Sequence, residues 1–319
     1  MEDSTFDLDL ELSSLPKEKW LGDDYLFQLG GFWHLPQAIQ GVNRVINHFQ
    51  PLPSDIILAS FPKTGTTWLK ALLYSIVNRS SKHRLTFENP HSLIPVLEYR
   101  TFGTTHASAA AIPPSNINHS RRILSTHIPY QLLAKTLDSS ECRVVYVTRN
   151  PKDTLVSTWN FVNKWNKAKE ERWPFEVAVE KFCHGLIPCG PYYDHVMGYR
   201  KLCLDRPKYA YFLTYEELKN DPKTHVKKLA EFLGCPFEGE DAEAQVQEIV
   251  KGCSFEVLSN HEVNKAGGFP SRIAFIPSNS FFRKGVVGDY KEHMSAEVVE
   301  KIDALTKEKF HSFGFMYGV

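Results

Sequence analysis

Residues 55–67 have the sequence DIILASFPKTGTT, and this stretch determines the predicted fold. Residues 55–59 form a short apolar run bounded by turn residues, which predicts a strand buried on both faces. A loop that contains Gly65 follows, and residues 66–78 predict a helix. A buried strand, a glycine-containing loop and a helix in this order are typical of the first half of a βαβ unit.

Two more segments of the same kind follow along the chain. Residues 142–147 predict a second buried strand, and Asn150 and Pro151 supply an N-cap and a first-turn proline for a helix toward Phe161. Because strands alternate with helices, we expect an α/β fold with one central parallel sheet flanked by helices. The other predicted elements are a strand at 209–213 and helices at 221–233, 245–252 and 296–310.

We expect a single domain over residues 50–319, because no repeat, low-complexity tract or clear linker interrupts the chain. Residues 1–49 mix acidic and aromatic segments without clear periodicity, and we expect them to form an N-terminal segment packed on that domain. Residues 267–279 are rich in glycine, proline and serine, which predicts a mobile loop.

The overall charge excludes a general attraction to polyanions. Lysine plus arginine number 37, as do aspartate plus glutamate, so the formal net charge is zero. A chain without net positive charge has no global electrostatic pull on nucleic acid or on an anionic membrane. We therefore expect neither partner, and any anion must bind in a local basic pocket.

The cysteines and the N-terminus predict a cytoplasmic protein. The six cysteines lack zinc-type spacing, so we expect free thiols in a reducing compartment. Residues 1–11 are acidic, which fits neither a secretory signal nor a transit peptide. The longest apolar stretch, residues 69–77, contains a lysine and is too short to span a bilayer.

The loop at residues 62–67 has the composition of an anion-binding site. Backbone N–H groups and the positive end of a helix meet there, glycine permits a tight turn, and threonine hydroxyls add donors. Lys63 adds a full charge, although it precedes the glycine, unlike the lysine of the usual nucleotide-triphosphate loop. The alternative is a plain strand–turn–helix with a solvated lysine.

The second unit lacks the residue that a magnesium site would need. Kinases and NTPases of this fold class usually end a neighbouring strand in aspartate, which helps to hold Mg²⁺. Here Thr148 and Arg149 follow the strand, which suits a bare phosphate and predicts a site without a metal. Ser157 follows on the next helix, near enough to bind the same phosphate, although both side chains could be ordinary surface groups.

A second cationic pair lies near the C-terminus. Arg283 and Lys284 follow two phenylalanines, and Gly285 would let the backbone approach a ligand closely. The alternative is a solvated basic turn.

Three motifs together resemble the cytosolic sulfotransferase family, whose members use 3′-phosphoadenosine 5′-phosphosulfate as donor. The family's 5′-phosphosulfate loop matches residues 62–68 (PKTGTTW), its 3′-phosphate segment matches 149–153 (RNPKD) with Ser157, and its C-terminal motif matches 283–289 (RKGVVGD). Order and spacing agree over about residues 50–315, and details such as 253–256 (CSFE) look most like the plant members. The resemblance implies a P-loop-like sulfotransferase fold over residues 50–319, sulfuryl transfer as the activity, and a place in plant specialised or hormone metabolism.

The resemblance also implies which positions hold the donor as a co-substrate, without a metal, and release adenosine 3′,5′-bisphosphate. The implied residues are Lys63, Thr64, Gly65, Thr66 and Thr67 for the 5′-phosphosulfate, Arg149, Ser157, Arg283, Lys284 and Gly285 for the 3′-phosphate, and Trp68, Tyr215 and Phe255 about the adenine.

The family's catalytic base is the histidine of a Thr-His-x-Pro segment, which matches residues 126–129 (THIP), so the resemblance implies that His127 is the base. A histidine suits this role because the pKa of imidazole lies near the operating pH. Lys63 is expected to stabilise the departing phosphate. Many animal members carry lysine two residues before the histidine, whereas Ser125 stands here, so the charge of that lysine is absent.

We expect the acceptor to be a small, largely apolar molecule with a hydroxyl group. Aromatic residues are 13% of the chain, and Trp159 and Phe161 are the favoured candidates to line an apolar cleft. A plant-type resemblance implies flavonoids, hydroxyjasmonates, brassinosteroids or desulfoglucosinolates. The other aromatic candidates are Phe32, Trp33, Tyr99, Phe102, Trp165, Tyr192 and Tyr193.

Two other functions and the oligomeric state depend on single features. A P-loop-type small-molecule kinase would need a carboxylate for Mg²⁺ at the end of a core strand, and none is found. A non-catalytic nucleotide-binding protein would be favoured by loss of Lys63 or His127, and both are present. Many animal relatives carry a Lys-x3-Thr-Val-x3-Glu dimer motif, but residues 291–300 have Ser-Ala in place of Thr-Val, so we expect a monomer.

Overall fold

A four-stranded parallel sheet forms the centre of the computed structural model, which describes residues 12–103, 121–165, 172–270 and 275–319. The strands of the described residues are β1 (Lys17–Leu21), β2 (Asp24–Leu29), β3 (Phe32–His34), β4 (Ile56–Ser60), β5 (Ile123–Thr126), β6 (Arg143–Thr148), β7 (Ala210–Thr214), β8 (Gly268–Pro270) and β9 (Phe275–Pro277).

Helices surround this sheet and account for most of the remaining described chain. They are α1 (Pro36–His48), α2 (Thr66–Val77), α3 (Pro90–Leu93), α4 (Tyr130–Asp138), α5 (Pro151–Trp165), α6 (Phe175–Cys183), α7 (Tyr192–Asp205), α8 (Tyr215–Asn220), α9 (Pro222–Phe232), α10 (Ala242–Gly252), α11 (Phe255–Asn260), α12 (Glu262–Lys265) and α13 (Ala296–Lys309). A π-helical turn spans Leu97–Thr101, and 3₁₀ turns span Arg79–Thr86, Ser278–Phe281, Asp289–Glu292 and His311–Phe313.

The strand order of the central sheet is β5-β4-β6-β7, and all neighbouring pairs are parallel. The register aligns Ala59 with Thr126 and Ser60 with Val147. Because the strands run in the same direction and end at similar heights, the segments that follow them meet at one edge of the sheet.

The sheet separates two hydrophobic cores, as expected for strands that are apolar on both faces. Along β4, Ile57 and Ala59 pack into one core, while Ile56 and Leu58 pack into the other. Helices α1, α4, α7 and α13 cover the first face, and α2, α9 and α10 cover the second. The continuous apolar run that predicted β4 therefore reflects burial on both sides.

The N-terminal residues form a small antiparallel sheet, β1-β2-β3, which the sequence did not predict. Trp20 and Leu26 are buried in the first core, and the Trp20 ring contacts the edge of Trp173 at 5.6 Å between centroids. The backbone N–H of Trp33 donates to the Gly190 carbonyl at 2.8 Å. These contacts tie residues 17–34 to the main body of the chain.

The predicted strands at 55–59, 142–147 and 209–213 correspond to β4, β6 and β7, each displaced by about one residue. Strand β5 was not predicted. The ends of the predicted mobile loop pair as β8 and β9, while residues 271–274 lie outside the described part. The acidic residues 1–11 also lie outside it.

All six cysteines lie within the described residues, and none of them forms a disulfide. Among the helices of the described chain, none has both the length and the apolar character that crossing a bilayer requires.

Candidate active site

Four segments meet at the carboxyl edge of the central sheet. The loop that begins at Phe61 follows β4, and His127 follows β5. Arg149 follows β6, and Tyr215 follows β7 at the start of α8. This edge is where open α/β sheets bind their ligands.

The loop between β4 and α2 has a strained, close-packed backbone. Lys63 has φ 70° and Gly65 has φ 117°, both in the left-handed region. A Cβ atom on Gly65 would lie 2.9 Å from Cδ2 of Tyr215, so glycine is required for space as well as for conformation. The loop therefore has one tightly defined shape.

The three threonines of the loop have different partners. Thr64 is fully buried, and its hydroxyl lies 2.7 Å from the Phe61 carbonyl and 3.0 Å from the Val147 carbonyl, so this side chain braces the loop against β6. The Thr66 hydroxyl bonds to the Ser60 hydroxyl at 2.7 Å. Thr67 Oγ1 lies 2.8 Å from Nε2 of His91. Thr64 can thus offer only its backbone to a ligand.

Lys63 lies among other cations rather than beside a carboxylate. Burial, followed by repulsion from Arg283, Arg149 and Lys164, lowers the pKa of Lys63 to about 7. Its Nζ atom lies 4.0 Å from the centroid of the Phe161 ring. A group of cations that repel one another in a half-buried place has the electrostatics of an anion site.

Arg149 is 6% exposed and is fixed by several contacts. Its Nη2 donates to the Val286 carbonyl at 2.7 Å and lies 3.3 Å from the Asp153 carboxylate. Its guanidinium lies 4.7 Å from the centroid of Tyr215. Its buried Nε has no hydrogen-bond partner among the described residues, which leaves a donor for a ligand.

Ser157 is buried on α5. Within the described chain, its hydroxyl makes no hydrogen bond to Arg149 or Arg283. Ser157 therefore lies on the helix that follows Arg149 without being hydrogen-bonded to either cation.

The segment 283–285 approaches the same place from the C-terminal part of the chain. Arg283 bonds to Asp289 at 2.5 Å, and its Nε lacks a partner within the described residues. The Lys284 ammonium is held by Asp289 at 2.7 Å and by Glu292 at 2.6 Å. Because two carboxylates already occupy that ammonium, Lys284 could contribute to a phosphate site through its backbone N–H.

Of the three aromatic residues expected about the adenine, Trp68 and Tyr215 contact each other, and Phe255 lies against the turn at 283–285. Trp68 and Tyr215 meet edge to face, with ring centroids 5.5 Å apart. A Cβ atom on Gly285 would lie 2.5 Å from Cδ2 of Phe255, which shows that the backbone of the turn lies directly against that ring. Tyr215 also contacts Arg149, so the two phosphate segments and these rings border one region.

His127 has a defined tautomer. Its Nδ1 lies 2.8 Å from the Ser60 carbonyl, which can only accept, so Nδ1 carries the proton and Nε2 carries the lone pair. Burial, together with repulsion from Lys70 and Lys63, lowers the pKa of His127 to about 4, well below the value near the operating pH expected of a histidine base. The imidazole is therefore neutral at pH 7 and has an available basic nitrogen.

Glu98 also positions His127, and sequence reasoning missed it. One carboxylate oxygen accepts from the His127 backbone N–H at 2.7 Å, and the other accepts from the Thr126 hydroxyl at 3.0 Å. Burial raises the pKa of Glu98 to about 7. Glu98 lies in the π-helical turn, a feature with no simple sequence signature that could have revealed it.

Lys70 and His91 are two further residues that the sequence did not single out. Lys70 lies on α2 and is fully buried, with Nζ 2.8 Å from the Ile94 carbonyl and 3.1 Å from Nδ1 of His91. A lysine inside the apolar stretch 69–77 was the available signal. Ser125 replaces the lysine of many animal sulfotransferases, but Lys70 is a buried lysine whose charge helps to lower the pKa of His127, and burial lowers the pKa of Lys70 itself to about 7.

A small cavity extends from His127 toward the N-terminal part of the chain. His34 is 2% exposed, and its Nε2 has no hydrogen-bond partner within the described residues. Burial lowers the pKa of His34 to about 4. The lining residues are His34, Ala38, Val42, Glu98, Tyr99, His127, Ile128 and Cys189.

The aromatic candidates for an acceptor cleft separate into two groups. Tyr99 lines the cavity, and Phe161 lies beneath Lys63. Trp159 instead packs in the interior, where its indole N–H donates to the Trp173 carbonyl at 2.7 Å and its ring contacts Phe175. Phe32, Phe102, Tyr192 and Tyr193 are buried, Trp33 packs against the first core, and the side chain of Trp165 lies outside the described part.

One group with metal-ligand geometry occurs among the described residues. Asp289, Glu292 and His293 bring ligand atoms within 4.8 Å of one another. Asp289 already pairs with Arg283 and Lys284, and Glu292 pairs with Lys284. These carboxylates therefore serve to position cations.

Comparison with known proteins gives consistent matches over almost the whole chain. A family model described as the sulfotransferase domain matches residues 53–314. Cytosolic sulfotransferase 7 of Arabidopsis thaliana is 42% identical over 306 residues, which cover 94% of this chain and 92% of that protein. Cytosolic sulfotransferase 12 of the same plant is 40% identical, with coverage of 99% and 95%.

Solved structures share the architecture. A crystal structure of an Arabidopsis thaliana candidate steroid sulphotransferase has a TM-score of 0.73 and 34% identity, and the match covers 99% of this chain and 97% of that one. Retinol dehydratase in complex with androsterone and the inactive cofactor PAP has a TM-score of 0.75 at 19% identity, with coverage of 99% and 96%. At that identity the second likeness shows the fold alone.

Proposed function

The chain belongs to the sulfotransferase family, and from this premise we propose that it moves a sulfuryl group from 3′-phosphoadenosine 5′-phosphosulfate to a hydroxyl group of a small, largely apolar acceptor. The sulfotransferase activity follows from family membership. The donor, the acceptor class and the roles of individual residues are the parts that we propose.

One observation supports this function above the others. Lys63, Arg149 and Arg283 interact electrostatically at the carboxyl edge of the sheet, next to a neutral histidine whose Nε2 is available. Buried Nε atoms on both arginines have no hydrogen-bond partner in the described structure. Such a cluster is stabilised by a ligand that carries more than one anionic group, and the proposed donor has a phosphate at one end and a phosphosulfate at the other.

We assign the proton transfer to His127. Nε2 accepts the proton of the acceptor hydroxyl while the oxygen attacks the sulfur, and the Nδ1–H bond to the Ser60 carbonyl holds the ring in the required tautomer. The hydrogen bond from the His127 backbone to Glu98 fixes the start of this segment. A histidine with a lowered pKa is neutral before the reaction, as a base must be.

Charge on the departing 5′-phosphate is stabilised by Lys63 and the backbone N–H groups of the loop at 62–67. The bond between sulfur and the bridging oxygen breaks, and its electron pair remains on the phosphate oxygen. The ammonium of Lys63 and the N-terminus of α2 lie at this point. Binding the anionic donor raises the pKa of Lys63, so this side chain is charged when the donor is in place.

The remaining proposed donor residues are divided between the 3′-phosphate and the adenine. Arg149, Ser157, Arg283, Lys284 and Gly285 would hold the 3′-phosphate, and Trp68, Tyr215 and Phe255 would contact the adenine. Two distances support this division: the Arg149 guanidinium lies 4.7 Å from the centroid of the Tyr215 ring, and the ring centroids of Tyr215 and Trp68 are 5.5 Å apart. We propose no metal in the reaction, because the carboxylates of the one described metal-like group already hold Arg283 and Lys284.

The acceptor would enter beside His127. Ala38, Val42, Ile128 and Cys189 supply the apolar part of the cavity lining, and the cavity would have to widen to admit an acceptor. The resemblance to plant members implies acceptors among the flavonoids, hydroxyjasmonates, brassinosteroids and desulfoglucosinolates, and one similar solved structure is described as a candidate steroid sulphotransferase. Because the plant relatives are named cytosolic, we propose that the chain acts in the cytoplasm.

The decisive experiment uses the purified chain, a ³⁵S-labelled phosphosulfate donor and a panel of those four acceptor classes. We expect label on at least one acceptor, with adenosine 3′,5′-bisphosphate formed in equal amount. A panel with ATP and Mg²⁺ in place of the donor tests the kinase alternative, which family membership does not favour. Phosphorylated acceptor together with no sulfated product would refute the proposal.

A further inference from the structure

We propose that Lys70 and His91 form a buried hydrogen-bond relay that fixes the Thr67 hydroxyl as a donor to the 5′ end of the phosphosulfate donor. Lys70 and His91 are thus positioning residues that act through Thr67. The inference rests on the proposed function, because it assigns the loop at 62–67 to the 5′-phosphosulfate.

The relay begins at the amino group of Lys70, whose pKa burial lowers to about 7, so that it carries two or three hydrogens to donate. Nζ of Lys70 lies 2.8 Å from the Ile94 carbonyl and 3.1 Å from Nδ1 of His91. Lys70 is fully buried on α2, so its hydrogens are directed to these protein atoms. The Ile94 carbonyl can only accept and takes one of these hydrogens. In either protonation state another remains, which we assign to Nδ1 of His91, so that Nδ1 accepts and carries no proton.

The imidazole of His91 then carries the direction of hydrogen-bond donation from Lys70 to Thr67. Burial holds the pKa of His91 well below its usual value, and repulsion from Lys70 and Lys63 adds to the effect, so the ring is neutral and carries one proton. With Nδ1 accepting, that proton is on Nε2. Nε2 lies 2.8 Å from Thr67 Oγ1 and therefore donates to it.

Thr67 is left with its own hydroxyl hydrogen to donate. Its oxygen accepts from His91, so the O–H bond is free to direct its hydrogen toward an anion in the loop. Without the relay, the same hydroxyl could turn its hydrogen toward Nε2 of a differently protonated His91 and present a lone pair to the phosphate. Lys70 thereby removes a competing and unfavourable orientation.

Contacts of His91 hold the relay in place. Asn89 caps α3 by accepting from the His91 backbone N–H at 2.8 Å, and its own side-chain amide bonds to Asn264 at 2.8 Å. The His91 ring stacks on Phe281 with centroids 4.0 Å apart. Phe281 also lies 5.6 Å from the ammonium of Lys63, so the relay is adjacent to the other cation of the loop.

The test is a double-mutant cycle read by calorimetric binding of adenosine 3′,5′-bisphosphate. Lys70→Met and His91→Phe each break the relay at a different point, and His91→Phe retains an aromatic ring against Phe281. We expect each to weaken binding of the bisphosphate about tenfold, the loss typical of one hydrogen bond to a charged group. In a Thr67→Val background, neither change should weaken binding further.

Two controls separate positioning from general damage. Adenosine 3′-monophosphate lacks the 5′ group, so its affinity should be unchanged in Lys70→Met and His91→Phe. Ser75→Ala removes another buried side-chain hydrogen bond of α2, the 3.4 Å contact with Cys253, and should leave bisphosphate binding unchanged.

The outcomes distinguish a failure of the relay from a failure of the proposed function. Equal losses with and without Thr67, or equal losses for both nucleotides, would overturn the relay while leaving the proposed function intact. If Lys70→Met does not fold, the His91→Phe cycle decides alone. A parent protein that binds neither nucleotide would instead refute the proposed function.

Discussion

At the scale of single residues, the proposed base His127 is held by two residues that are far from it in the sequence. Ser60, at the end of β4, accepts from the His127 ring, and Glu98 accepts from its backbone. Nε2 is the ring nitrogen that carries the lone pair, and in the proposed mechanism it takes the proton of the acceptor hydroxyl. The orientation of His127 thus depends on packing as much as on its own motif.

We expect His127→Ala to reduce sulfuryl transfer by at least about 10² to 10⁴-fold, the usual contribution of a general base. Binding of adenosine 3′,5′-bisphosphate should stay within about twofold of the parent, because His127 contacts the acceptor in the proposed mechanism. Radiolabel transfer and calorimetry measure the two quantities. His184→Ala, at an exposed histidine, serves as the control. Turnover that survives His127→Ala would remove His127 from the mechanism.

His34 makes stability depend on pH. Its folded pKa is lowered to about 4, whereas an unfolded histidine titrates near 6.5, so between these values only the unfolded chain gains the proton. The contribution to stability is complete above pH 6.5 and is lost as the pH falls toward 4. At pH 5 this loss amounts to about 2 kcal/mol for His34 alone.

We therefore expect His34→Leu to reduce the fall in the free energy of unfolding between pH 7 and pH 5 by about 2 kcal/mol, measured by urea titration at each pH. Glu98, whose raised pKa has the opposite effect, is present in both proteins and cancels in the comparison. An unchanged pH dependence would mean that His34 is protonated in the folded state.

The sequence predicted some site residues and could not predict others, for a physical reason. Lys63 and Arg149 follow apolar strands directly, so local pattern was sufficient to single them out. Glu98, His91 and Lys70 acquire their roles from partners more than 20 positions away, such as the 29-residue separation between Glu98 and His127. Only the three-dimensional packing brings these groups together.

At the scale of secondary-structure elements, the turn at 283–285 packs closely against helix α11. Gly285 has φ 65°, and a Cβ atom there would lie 2.5 Å from the Phe255 ring. Ser254 caps α11 by accepting from the Val257 backbone N–H, so the ring is attached to a fixed helix end. The turn must therefore stay free of side-chain bulk at this position.

We expect Gly285→Ala to weaken binding of adenosine 3′,5′-bisphosphate by about tenfold, because the new methyl group displaces either Phe255 or the turn that carries Arg283. Calorimetry measures the change. Gly252→Ala is the matched control, since a Cβ atom at Gly252 meets nothing within 4 Å. Equal affinity of the Gly285→Ala variant and the parent would show that this contact does not shape the donor site.

Elements with a strong local signal were predicted, and those without one were not. Strands β4 and β6 are largely apolar runs buried on both faces, and the edge strand β7 is a mostly apolar run that is partly buried. Strand β5 has only four residues and follows two arginines, so its pattern is too short to recognise. Strands β1 to β3 have mixed exposure, and their pairing with one another defines them more than their composition does.

At the scale of the whole molecule, the residues proposed to bind the donor and the residues that line the cavity come from different parts of the chain. The proposed donor residues follow β4, β6 and β7 or lie in the C-terminal turn, while the cavity is lined by β3, α1, the π-helical turn and Cys189. His127 borders both. The division into residues 1–49 and a domain over 50–319 stays a prediction, although Trp20 and Leu26 are part of the first core.

We expect the chain to be a monomer, because the animal dimer motif is altered at Ser295 and Ala296. Ser295 instead caps α13 by accepting from the Val298 backbone N–H at 3.3 Å. Size-exclusion chromatography with light scattering should give a mass of 36.5 kDa, unchanged over a hundredfold range of concentration. A mass of twice that value would contradict the prediction.

The location of the small cavity has an evolutionary consequence. His34, Ala38 and Val42 lie on β3 and α1, away from the loop and cations proposed for the donor. In the proposed function these positions border the acceptor side of His127, so we expect substitutions there to change the acceptor and to leave the donor residues in place. Under the proposed function, a gene duplicate could acquire a new acceptor through changes in β3 and α1 while inheriting the donor site intact.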